Sequence, residues 1–222
     1  MSIVLAIPDI HAPFQHPKTI EFLQYVYNHF KCDRVVCLGD EMDFHAISRW
    51  PKDPDGHGAG LEFSFGLSFL KELYMAFPVC QTVYSNHTAR PYRNAYEYGL
   101  PKAFLKDYKT LLEAPDGWSW SENVEIDNVL YIHGEGFSGQ YAHVRAAAAY
   151  RQSVVIGHIH SFGGVQYMQT KKDRIFGMNA GCLIDQDAYA FKYARTMPQK
   201  PTIGCGVIIN GIHAFFIPLY ES

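Results

Sequence analysis

Five short clusters carry side chains whose lone pairs and spacing suit a metal ion: Asp9-Ile10-His11, Gly39-Asp40, Asn86-His87, His133-Gly134 and His158-Ile159-His160. The donors are carboxylate and amide oxygens and imidazole nitrogens, with no thiolate among them. Such a mixed set fits Mn²⁺, Fe²⁺ or Zn²⁺ rather than Ca²⁺ or an iron–sulfur cluster. Asp9, His11, Asp40, Asn86, His133, His158 and His160 are too many donors for one ion. They suffice for two ions if a carboxylate such as Asp40 bridges them. Any one cluster alone is weak, since an Asn is as readily a turn former and a lone Asp-x-His is commonplace. The spacing of two within Asp9/His11 and His158/His160 places each pair on one side of an extended segment, and paired imidazoles that are partly buried need partners.

Each cluster follows an apolar run, so strands must deliver them. Ile3 to Ile7 reads as a strand buried on both faces, 17–30 as a helix begun by Pro17, and Val35 to Leu38 as a second strand. Strand, helix, strand in that span is a βαβ unit with parallel strands, which brings Asp9 and Asp40 to the same carboxyl edge of a sheet. Residues 44–60, with their Pro, Gly and Asp, form a loop over that edge. A helix follows over 61–75, then a strand over 79–84, and one broken or two short helices over 92–112. Further strands at 129–132 and 154–156 flank a helix at 141–150. Beyond residue 163 the texture is all-β, with strands at 165–170, 175–179, 205–209 and 212–218. Asn210-Gly211 marks a type I′ hairpin turn between the last two. One domain over 1–222 is expected, with no repeat and no linker.

Composition narrows the function. The 222 residues are 48% hydrophobic and 18% charged, which excludes a disordered chain and allows a buried core. The net charge of −3 argues against a whole-surface grip on nucleic acid, though a local basic groove remains open. No apolar run reaches the roughly 18 residues that span a bilayer, and the first residues lack a basic signal-peptide region. Five cysteines, none at C-x-x-C spacing, point to reduced buried thiols and a cytoplasmic setting rather than disulfides or a thiolate zinc site.

In order, the clusters resemble the motifs of the calcineurin-like metallophosphoesterases: D-x-H, G-D-x-x-[DN], G-N-H-[DE], a His beside a Gly, and G-H-x-H. Here they read Asp9-Ile10-His11, Gly39-Asp40-Glu41-Met42-Asp43, Ser85-Asn86-His87-Thr88, His133-Gly134 and Gly157-His158-Ile159-His160. The resemblance implies an α/β fold, an αββα two-sheet sandwich, and two divalent transition-metal ions, Mn²⁺ first, then Fe²⁺, Zn²⁺ or Ni²⁺. It implies Asp9, His11, Asp40 and His160 as ligands of one metal, and Asp40, Asn86, His133 and His158 as ligands of the other. Ser85 and Thr88 depart from the third motif, where the family has Gly and an acidic residue. The G-D-x-V-D-R-G form of protein Ser/Thr phosphatases is absent, which disfavours a phosphoprotein substrate.

The chemistry this implies is phosphoester hydrolysis. Two carboxylates against two divalent ions leave a net positive site that attracts phosphate, and a water between the metals becomes the nucleophile near neutral pH. In that resemblance His87 protonates the leaving oxygen, with Asp43 orienting it. Arg49, Arg90 and Arg93, together with Lys52, follow the ligand motifs and are candidates for substrate binding. Trp50, Tyr92, Tyr96 and Tyr98 are candidates for stacking on bases. His45, His57 and His143 are expected at the surface. A phosphodiesterase or nuclease is the first reading, with nucleic acid or a nucleotide as substrate and no membrane partner. A nucleotide-type phosphomonoesterase and a non-catalytic scaffold on the same fold are the alternatives.

Overall fold

The computed structural model describes residues 2–52, 54–188 and 198–220. Asp53 of the expected loop, and the parts of the expected 1–222 domain at 1, 189–197 and 221–222, lie outside the described residues.

Among the described residues, β1 (Ile3–Ile7), β2 (Arg34–Cys37), β3 (Cys80–Val83), β4 (Trp118–Ser121), β10 (Gly204–Ile209) and β11 (His213–Pro218) form a six-stranded sheet in the order β11-β10-β1-β2-β3-β4. A second sheet of β5 (Val124–Ile126), β6 (Val129–Ile132), β7 (Ser153–Ile156), β8 (Gly163–Gln169) and β9 (Arg174–Ala180) has the order β5-β6-β7-β9-β8. The helices are α1 (Thr19–Phe30), α2 (Ala59–Ala76), α3 (Arg90–Glu97), α4 (Tyr108–Leu111) and α5 (Ala142–Tyr150).

The unbroken apolar run of β1 follows from its place between two cores. Side chains alternate across a strand, so Val4 and Ala6 face Val129, Tyr131, Val155 and Met178 of the second sheet. Leu5 and Ile7 face Leu23 and Val26 of α1 and Leu70 and Leu73 of α2 on the other side. The second sheet repeats the pattern outward, where Leu130, Ile132, Val154 and Ile156 pack on Ala142, Ala146 and Ala147 of α5. The layers therefore run helix, sheet, sheet, helix, the expected αββα sandwich. Fully burying an aliphatic side chain of this size contributes about 1.5–3 kcal/mol.

β1, β2 and β3 pair in parallel, as do β6, β7 and β9, while β10 joins β1 antiparallel and the β10–β11 hairpin turns at Asn210 and Gly211 with φ of 55° and 68°. Two strands escape the sequence reading, β4 and β5. They are short, and the turn from β5 to β6 uses Asp127 and Asn128 at φ of 50° and 60° in place of a glycine. The loop expected over 44–60 holds a 3₁₀ turn at His45–Ile47, and α2 begins within it at Ala59. No helix among the described residues is long and apolar enough to cross a membrane.

Candidate metal centre

The parallel strands of both sheets end at one edge, and the five clusters meet there. Asp9, His11, Asp40 and His133 are buried, while His158 and His160 are partly exposed. The two sheets are tied together at this edge. His133 Nδ1 lies 2.8 Å from the Leu38 carbonyl oxygen, and the His158 amide donates to Asp9 Oδ2 at 2.7 Å.

Pairing within Asp9/His11 and His158/His160 does not come from an extended segment. The strands stop at Ile7 and Ile156, and the pairs converge through turns in which His11 and His158 take left-handed φ of 55° and 65°. Asp40 does the same at 50°. Non-glycine residues in this region cost about 1–3 kcal/mol each and persist where surrounding contacts over-determine them. Those contacts are visible: the His11 amide donates to the Asp40 carbonyl at 2.7 Å, and the Asp40 amide donates to Ser85 Oγ at 2.7 Å.

Two donor groups result. Asp9, His11 and His160 form one, with His160 Nε2 2.9 Å from Asp9 Oδ2 and 3.2 Å from His11 Nε2. Asp40, His133 and His158 form the other, with His133 Nε2 3.2 Å from His158 Nδ1 and 2.8 Å from Asn86 Oδ1. Asp40 Oδ2 stands between them, 3.5 Å from His11 Nε2 and 3.3 Å from His133 Nε2. A third grouping, His11, Asp40 and His87, overlaps both.

The donor chemistry fits metal ions. Asp9 Oδ1 is buried without a hydrogen-bond partner, a costly state for an ionised oxygen. His133 Nδ1 faces the Leu38 carbonyl oxygen and so carries the proton of the neutral ring, which leaves the lone pair of Nε2 against Asn86 Oδ1 and Asp40 Oδ2, acceptors that a shared cation reconciles. Gly157 keeps space over this carboxylate, since a Cβ there would stand 2.2 Å from Asp9 Oδ1. Burial opposes ionisation of Asp40, but the charges of His133 and His87 outweigh it and hold its carboxyl well below the usual range. Burial likewise pulls His133 down, while Asp40 and Asp9 push it up to about 10.

Around these donors sits a ring of buried partners. Asp43 Oδ1 lies 2.8 Å from His11 Nδ1 and 2.5 Å from His87 Nδ1, leaving His11 Nε2 toward the donor group. Burial pulls the His87 pKa down, and the charges of Asp40 and Asp43 reverse that and leave it raised. At its other nitrogen, Nε2, His87 meets Arg90 Nη2 at 2.9 Å. A guanidinium only donates, so Nε2 is the acceptor and Nδ1–H faces Asp43.

The two departures from the third motif both make bonds. Ser85 Oγ caps the Asp40 amide, and Thr88 Oγ1 donates to Glu41 Oε2 at 3.1 Å. Gly39, at φ 89°, has no room for a Cβ, which would stand 2.5 Å from Ser85 Cβ. Glu41 is fully buried and also accepts from Trp120 Nε1 at 2.8 Å. Sequence reasoning passes over Glu41, because its partners lie on β4 and on the loop after β3. Glu62 is missed in the same way: this buried α2 carboxylate accepts the His45 and Ala46 amides at 2.5 and 2.7 Å.

Of the expected substrate residues, Arg49, Arg90 and Arg93 converge with Trp50 and Asn86 on a cavity of about 420 Å³ beside the donor groups. Lys52 does not join them; its Nζ donates to the carbonyls of Ser48 and Trp50. Tyr92 is committed to packing, stacked on Tyr108 at 4.8 Å with its hydroxyl donating to the Lys106 carbonyl. Tyr96 and Tyr98 are exposed but do not line the cavity. The expectation of three surface histidines holds for His57 alone. His143 is buried on α5 against Phe162, and His45 is half-buried with Nδ1 3.9 Å from Asp43 Oδ2.

No protein-family model and no curated protein matches the chain. Solved structures similar to it include YfcE, a phosphoesterase from E. coli, at 14% identity and TM-score 0.45, covering 94% of this chain and 88% of that one. Vacuolar Protein Sorting 29 from Cryptosporidium parvum is similar at 12% identity and TM-score 0.43, covering 93% and 85%. Vps29 from Chaetomium thermophilum is similar at 10% and 0.43, covering 93% and 84%. Helix, sheet, sheet and helix, with the ordered motifs at one edge, make this the αββα fold that the resemblance to calcineurin-like metallophosphoesterases implies.

Proposed function

We propose that this chain hydrolyses phosphoesters with two divalent transition-metal ions, and that diesters are its preferred class. The observation that carries the reading is Asp40 Oδ2 standing between His11 Nε2 and His133 Nε2, so that one carboxylate joins two donor groups. Asp9, His11, Asp40 and His160 would hold one ion, and Asp40, Asn86, His133 and His158 the other. Mn²⁺ is the first choice for an oxygen and imidazole set of this kind, with Fe²⁺, Zn²⁺ and Ni²⁺ behind it. When bound, the ions supply an activated water and positive charge for the phosphoryl oxygens.

The chain's own residues do the rest. Once Arg90 gives way, His87 takes up a proton at Nε2 from solvent and delivers it to the leaving oxygen, while Asp43 holds Nδ1–H. Arg90, which covers Nε2, gives way to the substrate and keeps its Nη1 bond of 2.8 Å to the Asp43 carbonyl oxygen. Arg49 and Arg93 bind anionic parts of the substrate from the cavity wall. The five buried, unpaired cysteines support a reducing, cytoplasmic setting.

The test is turnover of bis(p-nitrophenyl) phosphate and p-nitrophenyl phosphate by chelator-treated protein with Mn²⁺ restored. Metal-dependent diester cleavage exceeding monoester cleavage supports the proposal. Preference for the monoester selects the nucleotide-type phosphomonoesterase. Metal-independent inertness toward both selects the scaffold.

A further inference from the structure

We infer that the cavity between the 45–50 loop and α3 is a subsite for single-stranded nucleic acid, taking a base against Trp50 and a neighbouring phosphate on Arg49 and Arg93. This names the substrate class of the proposed phosphodiesterase and rests on that reading. The cavity encloses about 420 Å³, within the range of small-ligand sites. Asn86, one of the candidate metal donors, forms part of its lining, so a chain lying in it continues into the centre. Three arginines against Glu97 give it a positive interior, in a chain whose overall charge is −3. The basic groove is therefore local.

Its walls are held in place before anything binds. Glu62 accepts the His45 and Ala46 amides, and Asn94 Nδ2 donates to the Ile47 carbonyl at 2.8 Å, which fixes the loop to α2 and α3. Arg93 Nη2 donates to the Asn86 carbonyl at 2.7 Å, placing its guanidinium beside the centre. Trp50 is 72% exposed at the rim, its indole left uncovered among the described residues. Stacking on a base uses that face irrespective of sequence. Arg49 is paired with Glu97 across the mouth, and both side chains are exposed, at 80% and 48%. An exposed ion pair is weakly held, so a phosphate can replace the Glu97 carboxylate. Glu97 thus acts as an internal anion that the substrate displaces.

The experiment uses full-length protein in chelator, so that binding is read without turnover. Trp118 is buried and Trp120 is bonded to Glu41, which leaves Trp50 as the exposed indole among the three. An oligothymidylate of eight nucleotides should quench fluorescence saturably, and Trp50→Phe should abolish the quench. Anisotropy of the fluorescein-labelled octamer should show Arg93→Ala raising Kd about tenfold and flattening the log Kd against log salt slope by about 0.7. Glu97→Gln should lower Kd about threefold, a gain that a merely structural pair would not give. Equal quenching in Trp50→Phe, duplex binding as tight as single strand, or weaker binding by Glu97→Gln overturns the subsite. Should Arg93→Ala melt below the assay temperature, the Trp50 and Glu97 variants decide. Failure of the hydrolase reading is separate: inertness toward bis(p-nitrophenyl) phosphate leaves these binding results standing, and turnover without a quench overturns the subsite alone.

Discussion

Asp43 Oδ1 lies 2.5 Å from His87 Nδ1, and the same oxygen lies 2.8 Å from His11 Nδ1. One carboxylate therefore orients both a candidate ligand and the candidate acid. Burial favours the neutral form of Asp43, but the bonds from His11 and His87 reverse this and keep it ionised. Asp43→Asn should lower turnover of an alkyl diester by about 10²-fold or more, because a poor leaving group needs the proton. Turnover of bis(p-nitrophenyl) phosphate should fall less, since its leaving group needs little help. Comparison of kcat on the two substrates checks this, and equal losses would assign Asp43 to His11 alone.

Asp40 and His158 belong to the same donor group, and Asp40 also adjoins the other. Asp40→Asn or His158→Ala should abolish phosphoester turnover and remove the rise in Tm on adding Mn²⁺. Binding to the native state adds RT ln(1 + [L]/Kd), about 2.7 kcal/mol at a hundred times Kd, and lost ligands forfeit it. Calorimetry with and without metal provides the measurement. A full metal-dependent shift in either variant would contradict the assignment.

Gly157 is fixed by what lies over it rather than by its own dihedrals. An added Cβ would meet Asp9 Oδ1 at 2.2 Å and Leu38 Cβ at 3.5 Å. Gly157→Ala should displace the Asp9 carboxylate, weakening metal affinity at least tenfold with a smaller effect on metal-free stability. Titration of the purified variant with Mn²⁺, beside its Tm in chelator, separates the two effects.

His143 supplies a pH signature remote from the donor clusters. It is buried, its Nδ1 has no hydrogen-bond partner, and burial lowers its pKa from 6.5 to about 4. Unfolding restores the higher value, so the unfolded chain binds more protons between about 6.5 and 4. Stability is therefore lost as pH falls through that window, at up to about 1.4 kcal/mol per pH unit for one proton. His143→Phe should make the decline in Tm over the same range shallower. A profile parallel to that of the parent chain would refute the role.

Sequence alone was sufficient for whatever is written in local pattern. Unbroken apolar runs marked β1, β2, β6 and β7 because strands lying between two packed layers bury both faces. The Asn210-Gly211 turn was legible because left-handed φ selects those residue types. Donor types and their order were legible for the same reason: each cluster follows its strand directly. Tertiary structure decided the remainder. The turn geometry at His11, Asp40 and His158 depends on hydrogen bonds donated to Ser85 Oγ and made between strand ends, which no spacing rule contains. β4 and β5 were hidden because their alternation is only a few residues long and their turn lacks glycine. His143 is buried because α5 packs it inward against Phe162, a contact made by chain segments far apart in sequence. The burial of Glu41 and Glu62 was not legible because a carboxylate is buried only where donors converge on it, and the amide and side-chain donors come from β4, the loop after β3 and the 45–50 loop.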